Sequence, residues 1–120
     1  MGTSKSASAS PTRWSARAHA FSGRPDPTWT VESSVGEQLE GLWNKLPATH
    51  LTLPVAPPLG YRGCVLLAEG RTWQVYRGVV ERVEGARVER RSDATRNFER
   101  TILASAPEGL IPPAVIAEVS

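Results

Sequence analysis

The chain has few of the side chains that bind metals or form disulfides. Its 120 residues include one cysteine, Cys64, and two histidines, His19 and His50. A single cysteine excludes an intrachain disulfide and is typical of proteins from reducing compartments. The three possible nitrogen and sulfur ligands are widely spaced, whereas zinc sites usually show paired ligands. The sequence therefore predicts no metal and no cofactor, and Cys64, at the start of an apolar run, is expected to be a buried, inert thiol.

Long apolar runs are also missing. No run approaches the ~20 residues that a membrane-spanning helix needs, and the first residues lack the apolar core of a secretory signal. We therefore expect a cytoplasmic protein without a transmembrane segment. Residues 1–13 consist largely of Ser, Ala and Thr. This composition buries too little apolar surface to offset its ordering entropy, so the segment is predicted to be a disordered tail.

Two other interpretations of the N-terminus stay open. Met1-Gly2 followed by Ser6 matches the pattern for N-myristoylation. Residues 1–20 contain serines and arginines but no acidic side chain, which is typical of an organelle transit peptide.

The positive charge is not concentrated in one patch. The formal net charge is +2, and the later charges alternate in sign, as in ERVEGARVERR. Interspersed signs indicate a solvated surface and argue against nucleic-acid binding. The chain also lacks a G-x-S-x-G elbow and the glycine-rich phosphate loops of common enzyme families. These absences favour a protein that is not an enzyme.

The first half of the chain predicts a strand followed by a helix. From Trp14 to Phe21 apolar and polar residues alternate, as in a half-buried strand. The TWTV segment is expected to be a short extended lead into the helix. Ser34 and Glu37 have the spacing of a capping box, and Pro47 ends the helix. The apolar face of this helix consists of Val35, Leu39, Leu42, Trp43 and Leu46.

The segment after the helix is rich in proline. Residues 47–58 include four prolines, Pro47, Pro54, Pro57 and Pro58, and proline favours extended or turn geometry. They predict a surface connection that is long for a small domain. Such a connection is either functional or an ordered wrap across the domain.

The second half of the chain predicts three strands and a second helix. CVLLAE, TWQVYRGVVERV and ARVERR are expected to form a meander, with turns at Gly70-Arg71 and Glu84-Gly85. Ser92 or Asp93 is expected to cap the helix SDATRNFERTILASAP, and an apolar tail follows with a short helical turn. The element order β-α-β-β-β-α predicts one α+β domain over residues 14–120. Its architecture is a two-layer sandwich of about four antiparallel strands, with both helices on one face.

Two short stretches are the candidate binding site. In SGRPDP, Pro25 and Pro27 bias the backbones of Arg24 and Asp26 toward extended geometry. A pre-organised arginine binds a carboxylate or phosphate with little further loss of entropy. Trp29 could offer a flat face beside Arg24.

Tyr61 and Arg62 lie between two glycines and could add a second aromatic–guanidinium pair. A purely structural interpretation stays open for both stretches. In that interpretation Arg24 pairs with Asp26, Trp29 belongs to the core, and Tyr61 pins its loop to the sheet.

The two stretches also carry a resemblance. FSGRPDPTW and LGYRG resemble the motifs FSGRPxPxW and LGYRG of a family of small proteins that has no assigned activity. The matching positions are Phe21–Pro25, Pro27, Trp29 and Leu59–Gly63. The resemblance spans roughly residues 16–111. It implies that both stretches belong to one structural unit, and it transfers no catalytic role.

The sequence thus favours a small, non-enzymatic domain that binds a protein or a small ligand through the Arg24/Trp29 and Tyr61/Arg62 loops. The alternative is a small enzyme or anion-binding protein in which Arg24 and Arg62 hold an anionic group. In that case Tyr61, Asp26 or His19 would transfer protons. A nucleic-acid binder with exposed aromatic rings is a third, less favoured hypothesis.

Overall fold

The computed structural model describes residues 12–20, 25–58 and 60–120, and within them it shows an antiparallel sheet of six strands with three helices. The strands are β1 (Trp14–Ala18), β2 (Thr28–Val31), β3 (Cys64–Ala68), β4 (Arg71–Tyr76), β5 (Val79–Glu84) and β6 (Arg87–Ser92). The helices are α1 (Ser33–Lys45), α2 (Asn97–Ala104) and α3 (Pro113–Val119). The spatial order of the strands is β2-β1-β3-β4-β5-β6. The predicted disordered tail lies outside the described residues except for its last two positions.

The α+β class is confirmed, but the predicted four strands and two helices were too few. The run TWQVYRGVVERV forms two strands, because Arg77 and Gly78 both adopt a positive φ, of 42° and 90°. That is the backbone of a tight hairpin turn. Thr28–Val31 pairs with β1 as an edge strand instead of only leading into the helix. The apolar tail contains a third helix, which begins at Pro113, where proline is well tolerated.

One face of the sheet carries the core. Ala16 lies opposite both Trp29 and Leu66, and Leu66 lies opposite Trp73 on the next strand. Since cross-strand partners share a face, these side chains form a continuous apolar layer. All of them are buried.

Helix α1 packs on this layer through its buried Leu39 and Trp43. The guanidinium groups of Arg82 and Arg91 lie 5.0 and 4.4 Å from the Trp43 ring centroid, which fixes the end of the helix over the far strands. The predicted capping box is wrong. The helix begins two residues earlier than the box requires, with Glu32 at the N-cap and without a side-chain cap.

Helix α2 is held by an acidic group that precedes it. The two carboxylate oxygens of Asp93 accept hydrogen bonds from the backbone N–H groups of Phe98 and Glu99, at 3.1 and 3.2 Å. Asp93 therefore caps the helix, as predicted, although Arg96 occupies the N-cap position. The helix buries Phe98 and Ile102 on the same side of the sheet as α1.

The proline-rich segment is an ordered wrap. Ser92 N–H donates to the Pro47 carbonyl at 2.8 Å, and Thr49 N–H donates to the Arg90 carbonyl at 3.1 Å, so the segment starts along the edge of β6. Further along, Leu53, Pro54 and Ala56 are half-buried, and Leu53 and Ala56 pack against the hydrophobic core. The connection is therefore held to the domain by backbone hydrogen bonds at its start and by apolar packing further along.

Candidate functional site

The two stretches singled out from the sequence meet at the end of β1. The backbone N–H of His19 donates to the Gly63 carbonyl at 2.9 Å, and the N–H of Arg62 donates to the His19 carbonyl at 2.7 Å. On the other side of β1, Ala18 N–H donates to the Pro27 carbonyl at 3.1 Å. These bonds extend the β1–β2 and β1–β3 ladders by one step and bring both loops together at the C-terminal end of β1.

Three ionisable side chains come together here, and we refer to His19, Asp26 and Arg62 as the His19 corner. His19 Nδ1 lies 2.8 Å from Asp26 Oδ2, and the two side chains are 34% and 21% exposed. Partial burial of Asp26 opposes its ionised form. The hydrogen bond from His19 and the positive charges of His19 and Arg62 outweigh it, so the pKa of Asp26 lies below its ordinary value of 3.8. The carboxylate is therefore ionised at neutral pH and orients the imidazole.

A small cavity opens beside the His19 corner. Its volume is about 90 Å³, which is the share of about three water molecules in the liquid. It lies between the proline-rich segment and the sheet, and it is lined by His19, Leu53, Pro54, Ala56, Arg62, Cys64, Val65, Gln74, Val75 and Tyr76. Pockets for cofactors or drug-sized molecules are several times larger. The cavity therefore suits one small chemical group.

The aromatic members of the predicted site are core residues. Trp29 is only 6% exposed, and its indole Nε1–H donates to Ser105 Oγ at 2.9 Å. Tyr61 is 4% exposed, and its hydroxyl donates to Glu99 Oε2 at 2.5 Å. The structural interpretation thus describes both rings, and neither presents a face to a ligand. Arg24 lies outside the described residues.

A second polar cluster surrounds the buried Glu99 of α2. Glu99 is completely buried and accepts from both Tyr61 and Arg96, whose Nε lies 2.9 Å from Glu99 Oε1. Burial raises the pKa of Tyr61 above its usual range, and the negative charge of Glu99 adds to this effect. The cluster ties the loop before β3 to α2. Sequence reasoning missed Glu99, because nothing in NFERTILA distinguishes it from an exposed helix residue.

The Cys64 thiol is not an activated nucleophile, although it lines the same cavity as His19. Burial raises the pKa of the Cys64 thiol well above its ordinary value, and the charge of Glu99 raises it further. Cys64 is paired with Ala18 across the ladder and points to the helix side of the sheet. His19 follows Ala18, so the alternation along a strand directs it to the other side. The thiol shares a side-chain hydrogen bond with Tyr61.

No family model, curated protein or solved structure matches the chain. The geometry of the His19 corner is therefore the basis for assigning a function. The resemblance to FSGRPxPxW proteins accordingly stays a prediction. In the described ranges, no group of three or more His, Cys, Asp or Glu side chains could hold a metal ion. None of the described helices has the length and apolar character to cross a membrane.

Proposed function

We propose that this chain is a small binding domain whose His19 corner receives one anionic group of carboxylate or phosphate size. The group belongs either to a free small molecule or to a side chain of a protein partner. The observation that carries the proposal is the meeting of two separate stretches, each supplying charged side chains, beside a small cavity.

The size of the cavity supports a single group over a large ligand. A volume of about 90 Å³ admits a carboxylate or phosphate with little room to spare. A nucleotide or flavin needs a pocket of several hundred Å³ to bury most of its surface. The bulk of any larger ligand would therefore lie outside the cavity, on the surface of the domain.

Arg62 and His19 are the two groups of the His19 corner that suit an anion, whereas the ionised carboxylate of Asp26 opposes one. The Arg62 side chain lines the cavity and is close enough to lower the pKa of Asp26, so its positive charge lies beside the space that an anion would occupy. His19 uses Nδ1 toward Asp26, which leaves Nε2 as the second donor when the ring is protonated.

Thermal unfolding of the full chain tests this proposal. A ligand that binds only the folded state raises Tm by an amount that grows with the logarithm of its concentration once that concentration exceeds Kd. Phosphate and acetate, each compared with chloride at equal ionic strength, should raise the Tm of the wild-type protein and not that of Arg62→Gln. Arg87→Gln is the matched control, because the Arg87 side chain is 77% exposed. An equal rise of Tm in all three proteins would mean that the anions act generally, and the proposal would then be wrong.

The His19–Asp26 hydrogen bond also favours a second candidate function, acid–base catalysis on the bound group. A carboxylate 2.8 Å from Nδ1 holds an imidazole in the orientation of a general base. Hydrolysis of p-nitrophenyl acetate tests this candidate with His19→Gln, and His50→Gln is a matched control because His50 is exposed. A loss of rate confined to His19→Gln would support catalysis. Equal losses would indicate the ordinary reactivity of surface imidazoles.

A further inference from the structure

We propose that residues 51–58 are a preformed proline-rich recognition segment that binds the aromatic-lined groove of a partner protein domain. This goes beyond the proposed function, because it uses the outer surface of the segment and not the cavity beneath it. The partner is defined by its chemistry, as a domain that binds extended proline-rich chains on aromatic side chains.

The exposure of the segment repeats every three residues. Leu53 and Ala56 are both half-buried against the sheet, whereas Thr52, Val55 and Pro58 are all exposed. The remaining ridge is exposed at Leu51 and Pro57 and half-buried at Pro54. A polyproline-II helix has three residues per turn and so presents three ridges. The burial pattern is that of such a helix with one ridge on the domain, one ridge facing outward, and a third that faces outward except at Pro54.

The backbone of the segment is restricted before any partner binds. Pro54, Pro57 and Pro58 have φ fixed near −65°, and each proline also disfavours helical geometry in the residue before it. The hydrogen bonds of Pro47 and Thr49 with β6 anchor the start of the segment. A partner would therefore bind a chain whose conformational entropy has already been lost, which favours affinity.

The outward ridges are uncharged and, apart from Thr52, apolar. Val55 is 97% exposed and Leu51 is 63% exposed, and the sequence LTLPVAPP contains no charged residue. Leaving these side chains in water is unfavourable by roughly 25 cal/mol per Å² of apolar surface, and an aromatic groove removes that cost. Since Leu53 and Ala56 face the sheet, the partner contacts the other two ridges.

Binding of the full chain to a panel of purified SH3, WW and EVH1 domains tests the proposal by calorimetry. At least one domain should bind, and Val55→Glu should weaken that binding by at least about tenfold. Pro57→Ala should weaken it less, since it keeps an apolar side chain. Ile116→Glu is the control, because Ile116 is an exposed apolar residue of α3, at 48%, and it should bind normally. Failure of every domain to bind, or equal binding by Val55→Glu, would overturn the proposal.

A peptide of residues 49–60 separates a preformed ligand from a sequence that binds only when it is free. The full chain should bind the selected domain more tightly than the peptide does, because the fold has already ordered the segment. If the peptide bound and the full chain did not, the fold would hide the motif, and the proposal would be overturned. The anion-dependent rise of Tm measured on Val55→Glu should equal that of the wild type, so the two proposals can fail separately.

Discussion

A Cβ atom placed on Gly36 would lie 2.3 Å from the indole ring of Trp14. Helix α1 therefore rests directly on the first strand, with no side chain between them. The same indole stacks on Trp73, with ring centroids 5.7 Å apart, and the Arg71 guanidinium lies within 5.5 Å of both ring centroids. Glycine has a low helix propensity, but at position 36 its missing side chain allows α1 to contact the Trp14 ring directly.

The two glycines of α1 should respond to alanine in opposite directions. Gly36→Ala should destabilise the protein by about 1–3 kcal/mol, since the methyl group overlaps the Trp14 ring. Gly41 has nothing within 4 Å of its would-be Cβ, so Gly41→Ala should stabilise the protein by up to about 1 kcal/mol through helix propensity. Urea unfolding followed by tryptophan fluorescence measures both. Equal effects of the two substitutions would contradict the packing described here.

The enclosed Tyr61–Glu99 hydrogen bond should contribute measurably to stability. Tyr61→Phe removes one partner of a buried carboxylate and should cost about 1–3 kcal/mol of unfolding free energy. Glu99→Gln should also destabilise, because it weakens the bond from Arg96 as well. In a double-mutant cycle the double variant should lose less unfolding free energy than the sum of the two single losses, since both substitutions remove the same interaction. Strict additivity would show that the two side chains do not interact.

The lowered pKa of Asp26 predicts how its contribution depends on pH. A carboxyl whose pKa falls on folding stabilises the native state above its unfolded pKa, and the contribution is lost as the pH falls through the folded pKa. Asp26→Asn should therefore lower the free energy of unfolding at pH 7 and have little effect at about pH 2. The exposed Glu108 provides a control through Glu108→Gln. A larger effect of Asp26→Asn in acid than at neutrality would contradict the assigned hydrogen bond.

Cys64 should be unreactive in the native protein. Its side chain is buried to 1% exposure, and burial raises its pKa. The thiolate needed for alkylation is therefore scarce as well as inaccessible. Labelling with iodoacetamide should be slow without denaturant and should follow the unfolding transition in urea. Rapid labelling of the folded protein would show that the thiol is accessible, against the described packing.

The fold class was predictable from the sequence because local residue patterns determine most of the helices and strands. The alternation from Trp14 to Ala18 and the buried Leu39 and Trp43 of α1 follow the predicted periods. The turn at Arg77-Gly78 was missed, because it interrupts a run in which apolar residues continue on both sides. A two-residue hairpin leaves little trace in such a pattern beyond its glycine.

The candidate site was only partly predictable, for a tertiary reason. Asp26 was singled out and does lie beside Arg62. Trp29 and Tyr61 are equally prominent in the sequence but point into the core, where their polar atoms meet Ser105 and Glu99. Tyr61 and Glu99 are 38 positions apart, and no local pattern can report a pair at that distance. The sequence pattern therefore predicted that the two stretches belong to one unit better than it predicted which of their side chains face outward.

Amide NMR spectra of the full chain during a phosphate titration are the most direct test of the anion site proposed at the His19 corner. Binding there should give saturable shifts at His19, Arg62 and Gln74, which line the cavity, and these shifts should be lost in Arg62→Gln. Gradual, non-saturating shifts centred on exposed basic residues such as Arg87 would contradict it.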